Sequence, residues 1–212
     1  MTVVLNRMEY FVNRKRIQRL MELMGISAIY PAPNLSKPCK EHVVYPYLLR
    51  NLVIERVNQV WGVDITYLRL KAGFAYLVAF IDWFSRFVLS FAVSTTLDNQ
   101  FCIAALNDAL RIGKAEISNS DQGSQFTSLP FINRLREANI RISMDGRGRA
   151  LDNVFTERLW RSVKYEDVYL KDYQTPNESL HGLKDYFRFY NYERPHQALK
   201  YKTPAEVFYA GL

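Results

Sequence analysis

The stretch VWGVDITYLRL at residues 60–70 decides the fold class, because β-branched and aromatic residues dominate it and mark it as a strand. The segment FAYLVAFI follows at residues 74–81 and is apolar on both faces, which is typical of a central strand. A third strand is indicated by RFVLSFAV at residues 86–93. Short connections, one of them containing Gly73, join the three segments, so the sequence predicts an antiparallel meander.

Helical and strand patterns alternate after this meander. Helices are predicted at about 98–112, 128–139, 152–164 and 178–192, and short strands at 115–119 and 140–143. Thr96 or Asp98 is expected to cap the first of these helices. The order βββ-α-β-α-β-α resembles the ribonuclease H fold, an α/β architecture in which helices flank a mixed five-stranded sheet. In that arrangement strand one is central and strand four lies parallel beside it.

The composition of the chain allows one sizeable core and a small additional segment, since 49% of the 212 residues are apolar. Residues 12–24 predict a basic amphipathic helix, and residues 31–46 contain four prolines and indicate a linker. We therefore expect three parts. These are a helical segment with its linker at 1–51, a core domain at 52–170, and a C-terminal helical extension at 171–212.

Several protein classes are disfavoured by composition. The longest apolar run spans only the eight residues 74–81, whereas a membrane helix needs about 20. No apolar stretch follows the basic N-terminus, so no secretory signal is expected, and the predicted location is the cytoplasm. Cys39 and Cys102 lie 63 residues apart. This spacing argues against metal fingers and disulfides, and we expect both thiols to be reduced.

Charge is unevenly distributed along the chain, whose net charge is +7. Residues 1–51 carry a net charge of +5, residues 52–127 of −1, and residues 128–212 of +3. Basic flanks suit a polyanion such as nucleic acid, while an acidic middle suits divalent cations. Charge alone is weak evidence, because many basic proteins bind no nucleic acid.

Three carboxylates are candidates for a shared site. Asp64 lies inside the apolar strand at 60–70, where an unpaired charge is costly unless a cation compensates it. Asp121 follows strand four in the small, polar sequence SNSDQGSQ, which favours a sharp turn. The predicted topology brings these two residues to the same edge of the sheet. Glu157 is on the helix at 152–164, and 35 residues separate it from Asp121.

Magnesium prefers oxygen ligands of this kind, and two ions about 4 Å apart can hold the attacking and leaving oxygens of a phosphoryl displacement. The spacing by itself also fits chance, because the chain contains 21 acidic residues. Asp82 and Asp152 are rival carboxylates. We expect Asp82 to cap the turn between strands two and three, and Asp152 to cap the helix that carries Glu157.

Four longer motifs carry a family resemblance: WGVDITYL, NSDQGSQFTS, ISMDGRGRALDNVFTERLWRSVKYEDVYL and YNYERPHQALKYKTPAEVF. Together they resemble the integrase core of bacterial insertion-sequence transposases, in particular the second reading frame of the IS3-type family, over about residues 59–208. The resemblance implies an Asp-Asp-(35)-Glu triad at Asp64, Asp121 and Glu157. It further implies two Mg²⁺ or Mn²⁺ ions and a DNA transposase that cleaves strands and transfers a 3′-hydroxyl.

Basic and polar residues near Glu157 are candidates for DNA contacts. They are Asn153, Arg158, Arg161 and Lys164 on the helix, and Arg147 and Arg149 in the preceding Gly-rich loop. Asn153 and Lys164 are four and seven residues from Glu157, so helical geometry places them on its face. Asn153 is also suited to orienting Glu157. An ordinary solvated lysine and a merely charged loop remain the alternatives for Lys164 and for the two loop arginines.

The resemblance also implies partners. They are double-stranded DNA from transposon ends and target, further copies of the chain, and the product of an upstream reading frame. The place of action would be the nucleoid of the bacterial cytosol. The helix at 12–24 resembles the end of the helical region that precedes the core in these transposases, and this match begins near Val12. The helix-turn-helix and oligomerising segments expected upstream are not among these residues. An alternative is therefore a truncated remnant that binds DNA or a full-length partner without catalysis.

Overall fold

The structure, a computed structural model, describes residues 2–24, 43–71, 73–146 and 153–212. The chain divides into two compact units, residues 1–37 and residues 38–212. The described part of the first unit contains α1 (Thr2–Arg7) and α2 (Arg14–Leu23). The helix predicted at 12–24 is thus confirmed, whereas α1 was not anticipated from the sequence. Residues 31–42 of the linker expected at 31–46 lie outside the described residues.

A mixed five-stranded sheet forms the centre of the second unit. Its strands are β1 (Val60–Leu70), β2 (Gly73–Asp82), β3 (Val88–Ser94), β4 (Ile117–Ser120) and β5 (Arg141–Met144). The strand order is β3-β2-β1-β4-β5. The first three strands pair antiparallel, while β4 runs parallel to both β1 and β5. The predicted meander, the central position of the first strand and its parallel neighbour are all confirmed.

Helices cover both faces of this sheet. They are α3 (Gln100–Ile112), α4 (Leu129–Glu137), α5 (Val154–Val163), α6 (Tyr169–Lys171), α7 (Pro176–Tyr192) and α8 (Pro204–Ala210). A π-helical turn (Lys164–Val168) joins α5 to α6, and a 3₁₀ turn (Gln197–Leu199) precedes α8. Neither turn was predicted, nor was α8. At the start of α3 the Asp98 carboxylate accepts the Gln100 N–H at 2.9 Å, although Asn99 occupies the N-cap.

The alternation of β1 side chains divides the core into two layers. Trp61 and Val63 face one layer, where they join residues of α3 and α4 and Phe208 of α8. Val60 and Leu68 face the other layer, together with residues of α5 and α7. The C-terminal helices therefore contribute buried residues to both layers. Asp64 has the same parity as Val60 and Leu68, so it belongs to the layer that α5 covers.

Two features of the chain, its apolar helices and its cysteine thiols, were both judged from composition above. None of the helices in the described residues is long and apolar enough to cross a membrane. Cys102 is buried on α3 and forms no disulfide, and burial raises the pKa of its thiol to about 12. A thiol with so high a pKa is unreactive at neutral pH, as expected for a packing residue. Cys39 lies outside the described residues.

Candidate active site

Asp64 is half-buried in the middle of β1, the central strand. Its Oδ1 accepts the backbone N–H of Ile65 at 2.8 Å, and its Oδ2 accepts the indole N–H of Trp160 at 2.9 Å. Trp160 belongs to α5, so this hydrogen bond connects the strand to the helix that carries Glu157. A carboxylate with two oxygens has about four acceptor positions, and free positions therefore remain on both oxygens.

The electrostatic surroundings raise the pKa of Asp64 from 3.8 to about 6. Loss of hydration on burial is the largest cause, and the negative charges of Asp121 and Glu157 raise the pKa further. The hydrogen bonds from Trp160 and Ile65 act in the opposite direction because they stabilise the ionised form. The three carboxylates are therefore close enough to repel one another, which is the situation that a bound cation would relieve.

Asp121 follows the last residue of β4 and is exposed. The parallel register pairs Gly62 with Asn119, and its continuation by two residues brings Asp121 level with Asp64. The Asp121 Oδ1 accepts the N–H of Gly123 at 2.9 Å. A Cβ at position 123 would lie 2.9 Å from that same oxygen, so a larger residue there would displace the Asp121 carboxylate. Partial burial of the Asp121 carboxylate against the protein raises its pKa, and the hydrogen bond from the Gly123 N–H lowers it.

Glu157 lies in the first turn of α5 and is exposed. A negative charge is favourable there because the positive end of the helix dipole is close. The opposite face of α5 is fixed to the sheet by the buried side chains of Leu159, Trp160 and Val163. Burial of these three apolar groups therefore determines where Glu157 is held, and the sequence predicted this arrangement only through the helical period.

The donor set fits a divalent cation, because all three side chains offer hard oxygen ligands and Asp64 and Asp121 carry free acceptor positions. Within residues 2–24, 43–71, 73–146 and 153–212, however, no three His, Cys, Asp or Glu side chains are grouped closely enough to hold a metal ion. The site thus has the chemistry of a metal centre without a closed ligand cluster. The assignment of Asp64, Asp121 and Glu157 as ligands remains a prediction.

The residues predicted to contact DNA are placed differently from one another. Arg158 and Arg161 are exposed on α5, and Lys164 is half-buried at the first residue of the π-helical turn. Asn153 occupies the N-cap of α5 and is only 7% exposed, and its Oδ1 is buried without a hydrogen-bond partner. Such burial favours a role in positioning α5 over a contact with DNA. Arg147 and Arg149 lie outside the described residues.

The structure assigns Asp82, one of the two rival carboxylates, to a turn. Asp82 is fully buried, and its Oδ1 accepts both the N–H and the hydroxyl of Ser85, at 2.7 and 2.6 Å. Its Oδ2 accepts the N–H of Asn58 at 2.7 Å. The expected capping role between strands two and three is therefore confirmed. Asp152 lies outside the described residues, and Asn153 holds the N-cap position that Asp152 was expected to fill.

Two features of the site were not anticipated. The first is that Trp160, besides packing in the core, donates its indole N–H to Asp64, and its spacing of three residues from Glu157 was the available signal. A second feature is the close packing at Gly62, where a Cβ would lie 2.2 Å from Trp83 Nε1 and 2.8 Å from Thr156 Oγ1. The absent side chain of Gly62 thus lets α5 approach β1 two residues before Asp64.

Comparisons with known proteins agree with this geometry. Two family profiles, both described as Integrase core domain, match residues 54–150 and residues 138–204. The transposase for insertion sequence element IS904 of Lactococcus lactis is 29% identical, over 97% of this chain and 84% of its own length. A Mycobacterium tuberculosis protein of the insertion sequence element IS986/IS6110 is 30% identical, over 79% of this chain and 69% of its own length.

Solved structures show the same fold at lower identity. The HTLV-2 integrase catalytic core domain in complex with magnesium has a TM-score of 0.58 and 23% identity, over 72% of this chain and 97% of that one. A chain in the structure of the simian T-cell lymphotropic virus intasome in complex with PP2A regulatory subunit B56 gamma has a TM-score of 0.63 and 20% identity, over 80% of this chain and 60% of that one. These likenesses confirm the ribonuclease H-like fold. The sequence relatives, one of them 30% identical over 69% of its own length, show that the chain belongs to the family of insertion-sequence transposases that contain an integrase core domain.

Proposed function

We propose that this chain is the catalytic subunit of an IS3-type transposase, which cleaves DNA strands and joins a 3′-hydroxyl to another strand. One observation carries the proposal: in the central strand of an integrase-like core, Asp64 lies level with Asp121, and its pKa is raised by burial and further by the charges of Asp121 and Glu157. The relatives named as transposases of insertion sequences support the same reaction. Residues 52–170 would form the catalytic core and residues 171–212 its helical extension.

Two Mg²⁺ or Mn²⁺ ions would be held by Asp64, Asp121 and Glu157. When bound, such ions neutralise charge on the reacting phosphate and lower the pKa of the attacking hydroxyl. The solved HTLV-2 core carries magnesium, which supports a divalent cation in this fold. Mutual repulsion among the three carboxylates favours cation binding in this chain, because every bound positive charge removes part of that repulsion.

The protein residues would position the reactants rather than attack them. Trp160 fixes the Asp64 carboxylate through its indole N–H, and Gly123 fixes Asp121 through its backbone N–H. In strand transfer, a DNA 3′-hydroxyl forms a new bond to phosphorus while the P–O bond of the attacked strand breaks. The departing oxygen takes a proton and becomes a new 3′-hydroxyl. Proximity and charge stabilisation would supply the rate enhancement.

The proposed partners follow from this reaction. They are double-stranded DNA of the transposon ends and the target, further copies of the chain in the active complex, and the product of an upstream reading frame. Arg158, Arg161 and Lys164 would bind phosphates beside the site, and Arg147 and Arg149 are proposed to do so from the preceding loop. The reaction would take place at the nucleoid, in the bacterial cytosol.

A branched DNA substrate tests the proposal without knowledge of the transposon ends. In it, a 3′-hydroxyl lies beside an already joined strand, so that reversal of the joining step requires no end recognition. We expect Mg²⁺- or Mn²⁺-dependent resolution of the branch, lost to background in Asp64→Asn, Asp121→Asn and Glu157→Gln. Asp108→Asn is the matched control, because Asp108 is an exposed α3 residue in a surface ion pair with Arg111.

Two results would overturn the assignment of the site. One is substantial metal-dependent resolution that survives a triad substitution. The other is an equal loss in Asp108→Asn. A protein that binds DNA with normal affinity and resolves no branch under any metal condition would instead favour the non-catalytic remnant. Thermal melting of each variant separates loss of chemistry from loss of folding.

A further inference from the structure

Asp145 is a further carboxylate beside the candidate active site. The register of β4 and β5 pairs Ser120 with Met144, so its continuation by one residue brings Asp145 level with Asp121. A backbone hydrogen bond agrees with this register, because the Asp145 N–H donates to the Ser120 carbonyl at 2.9 Å. Asp64, Asp121 and Asp145 therefore lie in one row across the neighbouring strands β1, β4 and β5.

Hydrogen bonds connect Asp145 to residues on both sides of Asp121. Its Oδ1 accepts the side-chain amide N–H of Asn119 at 2.7 Å. Its backbone carbonyl accepts the side-chain amide N–H of Gln122 at 2.9 Å. Together with the bond to Ser120, these contacts hold the two residues before Asp121 and the one residue after it. The turn that carries Asp121 is thus attached to the end of β5.

Asn119 joins this contact to a buried chain of hydrogen bonds. Asn119 and Ser143 are both 0% exposed, and Asp145 is 9% exposed. The Ser143 hydroxyl donates to Asn119 Oδ1 at 2.8 Å and accepts the N–H of Leu48 at 3.0 Å. The side chain at position 119 must consequently accept from Ser143 and donate to Asp145, and an amide does both.

The Asp121 carboxylate depends on this attachment for its position. It is exposed, and the N–H that it accepts comes from Gly123, a residue of the same turn. A hydrogen bond within the turn does not fix the turn relative to the sheet, whereas the three bonds to Asp145 do so. Groups that orient a metal ligand in this way typically contribute about 10–100-fold to metal affinity.

Asp145 is less suited to be a metal ligand itself. Its Oδ1 is turned toward Asn119, which lies two residues before Asp121 on β4. Neighbouring strands are about 4.8 Å apart, so the backbone of Asp145 is about 10 Å from that of Asp64. Two oxygens that bind one Mg²⁺ at about 2.1 Å lie no more than about 4 Å apart. A buried carboxylate that is turned away from Asp64 therefore fits a supporting role.

We propose that Asp145 is a positioning residue, which holds Asp121 level with Asp64 through its bonds to Asn119, Ser120 and Gln122. We call this set of three hydrogen bonds to Asp145 the β5 clamp. The inference rests on the proposed function, because it takes Asp121 to be a ligand of the divalent cation. Asp145 acts through Asp121 and does not touch the metal.

The test is a titration of the whole chain with Mn²⁺ in the absence of DNA, in which EPR measures the free ion. Asn119→Asp removes the N–H that Asp145 accepts, and we expect it to weaken Mn²⁺ binding about 10–100-fold. The added negative charge alone would act in the opposite direction, since it attracts a cation. Asn119→Asp/Asp145→Asn exchanges donor and acceptor at the wild-type net charge, and should bind within about threefold of wild type.

Asp145→Asn alone distinguishes a supporting role from a ligand. The asparagine can still accept from Asn119, and the two backbone bonds of the clamp are unchanged. We expect binding about threefold weaker than wild type, because a neutral acceptor makes a weaker hydrogen bond than a carboxylate does. A loss as complete as that in Asp64→Asn would make Asp145 a ligand and overturn the proposal.

A pair of glutamines tests the clamp without changing a buried residue. Gln122→Met removes the bond to the Asp145 carbonyl and should weaken Mn²⁺ binding about fivefold, the equivalent of one neutral hydrogen bond. Gln125→Met is the matched control, because Gln125 is also half-buried and donates to a backbone carbonyl, that of Leu97, at 3.0 Å. This control should bind Mn²⁺ like wild type.

Three outcomes decide the proposal. Equal affinities in Gln122→Met and Gln125→Met, or a double variant no better than Asn119→Asp, would overturn the clamp. If Asp64→Asn binds Mn²⁺ as tightly as wild type, the proposed metal site is wrong and the clamp is wrong with it. If Asp64→Asn loses Mn²⁺ while the Asn119 and Gln122 variants bind like wild type, the metal site stands and only the clamp is wrong. Thermal melting checks each fold, and the glutamine pair decides if Asn119→Asp does not fold.

Discussion

Replacement of Asp64 by Asn should make the metal-free protein more stable at neutral pH. Burial and neighbouring charge raise the pKa of Asp64 to about 6 in the folded state, against an ordinary value of 3.8. The folded protein therefore binds this proton more tightly than the unfolded chain does, and ionisation of Asp64 opposes folding as the pH rises between about 4 and 6. An amide at this position has no charge to desolvate.

The magnitude follows from the same two pKa values. At about 1.4 kcal/mol per pKa unit, the difference between 3.8 and about 6 corresponds to about 3 kcal/mol above pH 6. This is an upper value for Asp64→Asn, because the amide cannot accept from both Ile65 and Trp160 as well as a carboxylate does. The advantage of the variant should vanish below about pH 4, where the acid is protonated in both states.

Urea unfolding at a series of pH values in EDTA measures this effect. We expect the stability difference between Asp64→Asn and wild type to grow from pH 4 to pH 6 and then to remain constant. Added Mg²⁺ should stabilise wild type more than the variant, because a ligand that binds only the folded state raises its stability. A difference that is independent of pH, or a variant that is less stable at pH 7, would refute the electrostatic reasoning.

Three further predictions concern the supports of the site. Trp160→Phe removes the hydrogen bond to Asp64, which stabilises the ionised carboxyl by about 1.5 kcal/mol, and should therefore raise the pKa of Asp64 above 6 by roughly one unit. Carboxyl ¹³C NMR in EDTA measures this pKa, and an unchanged value would contradict the prediction. Gly62→Ala should destabilise the fold by about 1–3 kcal/mol in urea unfolding, because its Cβ would overlap Trp83 Nε1; wild-type stability would show that the indole moves freely. Asp82→Ala should cost about 3 kcal/mol or more in the same assay, because it leaves buried donors of Ser85 unpaired; a loss below 1 kcal/mol would disprove this role.

The sheet was predictable because its signals are local and numerous. β-Branched, aromatic and other apolar residues dominate the run at residues 60–70, and its predicted limits coincide with β1. Asp64 stood out because a carboxylate interrupts that run. Asp82 was assigned to a turn because short polar segments between strands form few kinds of structure, and three hydrogen bonds confirm that role.

Features that depend on contacts between distant segments could not be predicted. The Trp160–Asp64 hydrogen bond joins residues 96 positions apart, and its formation depends on the angle at which α5 crosses β1. The groove lined by Arg86, α5 and the segment after α7 likewise combines parts of the chain that are far apart in sequence. The positive φ of Arg86 could not be predicted either, because a residue other than Gly adopts the left-handed backbone conformation when its surroundings stabilise it and not by its own preference.

Anomalous diffraction from crystals grown or soaked with Mn²⁺ tests the central claim most directly, because it locates the metal without reference to activity. We expect an anomalous peak between the carboxylates of Asp64 and Asp121 in wild type, with Glu157 as the third protein ligand of the site. The peak should be absent in Asp64→Asn. Manganese bound elsewhere on the chain, or a peak that persists in Asp64→Asn, would contradict it.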